Sequence, residues 1–379
     1  MAATHQRKPV RLALQGGGAL GAFSAGVLDA LLASRRVDLT HFSGTSAGAI
    51  NAVVCASALA TGGRRDARRA LSSFWQAVAA SPIDDYLGLL WGPMGQSLRK
   101  GFGEWLWSSA IAMPNPYGGN FLPTLASTPL KAALARHVDL EALRAPGAPQ
   151  VFVTLTNVRT GLPSVVGNAD LTLDTILASA CLPQYFRAVE IDDDAFWDGG
   201  YTGNPTLWPL VRQQGAADIV LVQLSPSQAA EMPVSAAAIR QRIAEIVFHS
   251  SLVAEMQAIQ AIRELTTGRD EASRFGQARF HRIGPPPEGL LGTGSAADRS
   301  PRFLRALWDA GRSDARRFLI RDGTQIGVRE TLDLKATFID HRKTRLATAR
   351  ADADAGSDTG SDADLAAPGE PQPQRATES

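Results

Sequence analysis

Apolar positions along the chain fall into two alternating kinds of run. Short ones, Arg11–Gln15, Leu39–Gly44, Gln150–Asn157 and Asp218–Leu224, predict strands, and the last (DIVLVQL) has the continuous apolar character of a strand buried on both faces. Shorter strands are expected near Ser164–Gly167, Arg187–Ile191 and Ala278–Ile283. Between them, helical spacing predicts helices over Ala19–Ala33, the small-residue stretch AGAINAVVCASALA from Ala47, Arg64–Ala80, 129–136 and 171–180. Ser235–Thr267 reads as a long amphipathic helix with Ile239, Ile243, Ile246 and Val247 in phase, and Pro301–Ile320 as a closing helix. Strands alternating with helices predict an α/β fold, layered α/β/α around a mostly parallel central sheet.

The alternation lapses twice. Residues 84–124 are rich in Gly, Pro and Trp (Trp91, Trp105, Trp107) and form an insertion of weak periodicity. That segment predicts either an apolar flap for peripheral membrane contact or extra core. Residues 345–379 lack the apolar surface that would offset chain entropy, so a disordered tail is expected. The expected organisation is therefore a catalytic domain over 11–212, an α/β extension packed on it over 213–342, and the tail.

Bulk composition narrows the function classes. With 379 residues, 45% of them hydrophobic, the chain can bury a sizeable core. A net charge of +1 gives no nucleic-acid footprint. The N-terminus is basic without a secretory pattern, and no apolar run approaches a membrane span, so a cytoplasmic protein is expected. The two cysteines, Cys55 and Cys181, lie in small-residue apolar runs and read as buried thiols. No metal-ligand cluster or cofactor motif is visible, so no cofactor is expected. Oligomeric state has no signature.

Two glycine motifs carry the chemistry. Gly16, Gly18 and Gly21 spell G-x-G-x-x-G between a strand and a helix, and Asp38 follows at the spacing of a dinucleotide site. Such a site needs that acid at the end of the second strand, whereas Asp38 precedes the apparent strand; a nucleotide-binding protein stays as the alternative. Gly44-Thr45-Ser46-Ala47-Gly48 is a G-x-S-x-G at a second strand–helix junction, where Gly44 and Gly48 give the room that a sharp nucleophile turn needs. A serine nucleophile creates an oxyanion, and backbone amides of a glycine turn at a helix start suit that charge. Asp198, in FWDGGYTGNP, is a candidate base; Ser46, Asp198 and His281 also satisfy the chain order of a triad.

The ordered set GGGALG (16–21), GTSAG (44–48) and DGG (198–200), with LASACLPQYFRAVEI (177–191) before the aspartate, resembles the patatin-like phospholipases over roughly residues 11–212. The resemblance implies a serine acyl hydrolase of lipid or other acyl esters, with Ser46 as nucleophile and Asp198 as general base. It further implies that the Gly16, Gly17 and Gly18 loop is the oxyanion hole, that Gly21, Gly44, Gly48, Gly199 and Gly200 are motif glycines, and that no histidine joins the site. Leu20 stands where many members of the family carry Arg or Lys.

Overall fold

A computed structural model describes residues 7–79, 129–183, 186–215, 217–229, 231–266, 274–291 and 298–340; the 84–124 insertion and the 345–379 tail lie outside the described residues. Met1–Leu334 group as one compact unit and Lys335–Ser379 as another, and every element discussed below belongs to the first.

The strands are β1 (Lys8–Leu14), β2 (Val37–Thr45), β3 (Gln150–Asn157), β4 (Pro163–Gly167), β5 (Val189–Ile191), β6 (Asp194–Asp198), β7 (Ala217–Val222) and β8 (Ala278–Ile283). They form one sheet in the order β5-β6-β3-β2-β1-β7-β8, with β4 also paired to β3. The pairs β1–β2, β1–β7, β2–β3 and β7–β8 are parallel. The pairs β3–β4, β3–β6 and β5–β6 are antiparallel, so the sheet is parallel except at one end. The helices used below are α1 (Gly21–Ala33), α2 (Ala47–Ala79), α3 (Pro129–His137), α4 (Leu140–Arg144), α5 (Leu173–Ser179), α6 (Trp208–Arg212), α7 (Ala236–Thr266) and α8 (Pro301–Arg321).

Helices cover both faces of the sheet. Side chains alternate along β1, so Arg11, Ala13 and Gln15 share one face and Leu12 and Leu14 the other. On the first face Arg11 donates to the carbonyls of Leu210 and Gln214, both at 2.6 Å, which anchors the end of α6. Gln15 reaches His249 of α7 at 3.4 Å, and Arg263 of α7 stacks over Phe280 of β8 at 5.3 Å. On the opposite face α1 and α8 touch backbone to backbone. A Cβ at Gly26 would overlap the Trp308 carbonyl, and one at Gly311 would overlap that of Phe23.

α1 is buried nearly all round, which accounts for its uniformly apolar sequence. Its one charged residue, Asp29, is ion-paired with Arg68 at 2.7 Å and Arg312 at 2.9 Å. α2 contains a break at Gly63, whose φ of 75° lies in the left-handed region, so two helices run together there. The break places Arg64 against the end of α1, where it donates to the carbonyls of Leu31 (2.7 Å), Leu32 (2.9 Å), Ser34 (2.8 Å) and Val37 (3.0 Å). The Leu31, Leu32 and Ser34 carbonyls belong to the helix end, which leaves carbonyls short of intrahelical donors, and Val37 opens β2.

Two elements differ from the sequence expectation. β6 exists where no strand is expected, because three consecutive acids at 192–194 mask a short alternating segment. Asp192 takes the left-handed φ of 53° that closes the β5–β6 hairpin. β2 begins at Val37, so Asp38 is its second residue instead of preceding it.

Candidate active site

The parallel strands β1 and β2 end side by side, and both are followed by a tight turn into a helix. Ser46 is the turn after β2. Its φ is 55°, a left-handed conformation rare for a residue with a side chain, and α2 starts at the next residue. The turn needs its glycines: a Cβ at Gly44 would come within 2.6 Å of the Gly48 backbone, and one at Gly48 would overlap the Leu14 carbonyl oxygen. The Ser46 amide is held by Ser179 Oγ at 2.9 Å, and that hydroxyl donates to the Thr154 carbonyl at 2.7 Å. Ser46 itself is 7% exposed.

The glycine loop after β1 lies against this turn. A Cβ on Gly16 would stand 2.7 Å from the Thr45 carbonyl oxygen and 2.8 Å from Ser46 Cβ. The Gly16 amide already donates to Asn204 Oδ1 at 2.6 Å. Among the described residues the amides of Gly17 and Gly18 have no acceptor. Gly18 has a positive φ of 57° and opens the helical turn that leads into α1. Gly21 packs closely on Ala47 and Trp75, so the two motifs meet there as well.

Asp198 ends β6, opposite Leu155 of β3, and is 0% exposed. Its amide donates to the Cys181 carbonyl at 2.8 Å, and its Oδ1 accepts from the Gly200 amide at 2.8 Å. Burial pushes its carboxyl up to about 7, against smaller opposing effects of the Gly200 amide and the Ser46 hydroxyl. Ser46 is thus close enough to favour the carboxylate, while among the described residues Oδ2 makes no hydrogen bond of standard geometry. Gly199 and Gly200 leave no space for a Cβ, the first against the Thr154 carbonyl and the second against the Phe248 ring.

The other sequence candidates lie elsewhere. His281 is fully buried on the face of β8 toward α8, with its ring 6.0 Å from that of Phe318. Its nitrogens meet Asp218 Oδ1 at 3.0 Å and Thr331 Oγ1 at 2.9 Å. Asp38 is at the far end of β2 from the glycine loop, 55% exposed, and pairs with Arg64 at 3.5 Å. Cys55 and Cys181 are free and buried, and burial pushes both thiols up to about 12. Among the described residues no group of His, Cys, Asp and Glu could hold a metal, and no helix is long and apolar enough to cross a membrane.

Residues 12–211, more than half of the chain, match the family model of the patatin-like phospholipases. The chain belongs to the patatin-like phospholipase family. No curated protein matches it. Among solved structures it is similar to VipD from Legionella pneumophila, at 13% identity over 83% of this chain and 67% of that one, with a TM-score of 0.39. It is also similar to the type III effector protein ExoU, at 16% identity over 92% of this chain and 63% of that one, with a TM-score of 0.31. The chain therefore spans about two thirds of the length of either.

The patatin-like match ends at Val211, before α7 begins, yet α7 supports the site. Asn204 donates to the Phe248 carbonyl at 2.9 Å, and its amide donates to Ser251 Oγ at 3.1 Å. Sequence reasoning missed Asn204 and Ser179. Asn204 lies four residues beyond Gly200 inside FWDGGYTGNP, and Ser179 lies inside LASACLPQYFRAVEI, so in each case the signal was the segment around it.

Proposed function

We propose that this chain is a serine acyl hydrolase of lipid esters in which Ser46 is the nucleophile and Asp198 the general base. The observation that carries the reading is the pairing of a serine at left-handed φ with a buried carboxyl whose proton affinity is raised to about 7. An ordinary aspartate is too weak a base near neutrality, and a base works best when its pKa lies close to the working pH.

In the first step Ser46 Oγ attacks the acyl carbonyl as Asp198 takes the hydroxyl proton. The developing oxyanion lies at the glycine loop, where the free amides of Gly17 and Gly18 point from the start of a helix. Collapse expels the alcohol, which receives the proton from Asp198, and leaves an acyl-serine. Water, deprotonated by Asp198, then hydrolyses it. Family membership supports a lipid ester as substrate.

The test is labelling by a fluorophosphonate probe together with hydrolysis of phospholipid, neutral lipid and short p-nitrophenyl esters. Wild type should label and hydrolyse at least one ester class, and Ser46→Ala should do neither. A folded Ser46→Ala protein that still labels removes Ser46 from the role. The alternative, a nucleotide-binding protein using the Gly16–Gly21 loop, predicts nucleotide-dependent thermal stabilisation that Ser46→Ala leaves intact.

A further inference from the structure

Beside the glycine loop, the ends of β1, β7 and β8 and the first half of α7 bring together a polar cluster holding a positive charge that has no counter-charge among the described residues. Register fixes its floor. Arg282 pairs with Leu221 across β7–β8, and Leu221 with Ala13 across β1–β7, so Gln15, Gln223 and Arg282 follow on the same face of the sheet. That is the face under α7, as the Gln15–His249 contact at 3.4 Å shows.

Hydrogen bonds tie the walls together. Gln223 Nε2 donates to Ser227 Oγ at 3.0 Å, and the Ser227 carbonyl accepts from Arg242 Nη2 at 3.2 Å. Arg242 and His249 are seven residues apart and so lie on one side of α7. Arg242 also holds Glu245 at 3.1 Å. Arg282 is different: among the described residues no carboxylate or carbonyl accepts from its half-buried guanidinium. Gln223 is fully buried, and among the described residues nothing donates to its Oε1.

We infer that Arg282 and Arg242, with Gln223 Oε1 and His249, form a subsite for a phosphate group that also carries a hydroxyl or ester arm. An anion would supply the charge that Arg282 lacks, and guanidinium geometry suits phosphate oxygens. Gln223 Oε1 would accept from a hydroxyl on the same ligand. His249 is held neutral, its pKa lowered to about 4 by burial and then by the charges of Arg242 and Arg282, and its Nδ1 accepts from Gln15 Nε2, which puts the ring proton on Nε2 as a donor. The location at the carboxyl ends of parallel strands is where α/β sheets bind ligands.

On the reading of Ser46 as an esterase nucleophile, the subsite selects phospholipids over neutral lipids. β2 and β8 are three strand spacings apart, about 14 Å. The length of an arginine side chain, and the few bonds between phosphate and ester carbonyl in a glycerophospholipid, are what would have to bridge that gap.

The test uses the full chain in two arms. In the first, thermal stabilisation by inorganic phosphate is compared with chloride at equal ionic strength, for wild type, Arg282→Gln and Arg242→Gln, with folding checked by circular dichroism. Wild type should be stabilised selectively by phosphate, Arg282→Gln should lose the effect, and Arg242→Gln should lose part of it. In the second, kcat/KM on phosphatidylglycerol vesicles is divided by kcat/KM on diacylglycerol of the same chains. The ratio should fall about tenfold in Arg282→Gln. Loss of phosphate binding with an unchanged ratio assigns the subsite to free phosphate instead of a headgroup. Wild type without a phosphate effect, together with an unchanged ratio, overturns it. The first arm reads the subsite even in a chain that hydrolyses no ester, so the two readings fail separately.

Discussion

The amide of Gly16 and the side chain of Asn204 are joined at 2.6 Å, and that bond links two motifs 188 residues apart. Asn204 is fully buried and is fastened in turn to Phe248 and Ser251 of α7. The glycine loop is therefore positioned from the DGG segment and from a helix beyond the family match. A loop that offers amides to an oxyanion gains from this, because donors fixed in advance need no reorganisation during the reaction.

Asn204→Ala should act on kcat and leave KM nearly unchanged. It strands the Gly16 amide, which costs about 1–3 kcal/mol of stability, while the Phe248 carbonyl, in the middle of α7, keeps its intrahelical donor. Small misplacement of the loop should lower kcat by about 10–100-fold on any ester that wild type hydrolyses. Steady-state kinetics well below the lowered melting point would measure the split. An equal rise in KM would assign Asn204 to substrate binding instead.

Asp198→Asn should abolish turnover and stabilise the fold as pH rises. The folded carboxyl titrates near 7 while an unfolded aspartate titrates near 3.8, so between those values the folded state binds the extra proton. Wild-type stability is therefore complete below the unfolded value and is lost as pH rises through the folded one. Asn carries no such cost, so the advantage of Asp198→Asn should grow by about 2–3 kcal/mol from pH 5 to pH 8. Denaturant melts at both pH values would show it. In wild type, kcat/KM should rise with pH through about 7, as the base ionises.

His281→Ala should weaken the fold and spare the chemistry. His281, Arg279 and the Gly327 amide all donate to Asp218. Burial alone would raise the Asp218 carboxyl, but these donors prevail and hold it well below the usual carboxylate range. Their stabilisation is present above that usual range and disappears as pH falls below it. Loss of the His281 bond should cost about 1.5–3 kcal/mol. Ester hydrolysis should stay within a few fold of wild type at 20 °C. A folded but inactive His281→Ala protein would restore the Ser–Asp–His ordering as a working triad.

What was legible in the sequence follows the range of the interactions involved. The parallel strands and the Ser46 turn were readable because apolar runs and small-residue spacing are local signals. β6 was not, since its formation depends on pairing with β3 and β5, and its acids argue against a strand. Asp198 could be proposed from its glycines, but its raised pKa comes from burial, which no local pattern encodes. Arg282 carries no local signal of its own in the sequence. Its interest appears only when register places it under α7 with no counter-charge among the described residues.

The glycines of the site should differ sharply in what they tolerate. Gly48 sits where a Cβ would overlap the Leu14 carbonyl oxygen, and neither strand end can move without breaking the β1–β2 ladder. Gly17 has a φ of 171°, extended backbone that any residue adopts, and a Cβ there would meet Leu224 Cδ1 at 3.2 Å, the end of a side chain able to give way. Gly48→Ala should therefore lose more than about 4 kcal/mol and yield little soluble protein, whereas Gly17→Ala should fold with a Tm within a few degrees of wild type. Gly17→Ala keeps its amide, so fluorophosphonate labelling should persist at a reduced rate. Soluble expression, melting curves and labelling rates of the two variants provide the comparison. A stable, labelled Gly48→Ala protein would contradict the close packing of the Ser46 turn against β1.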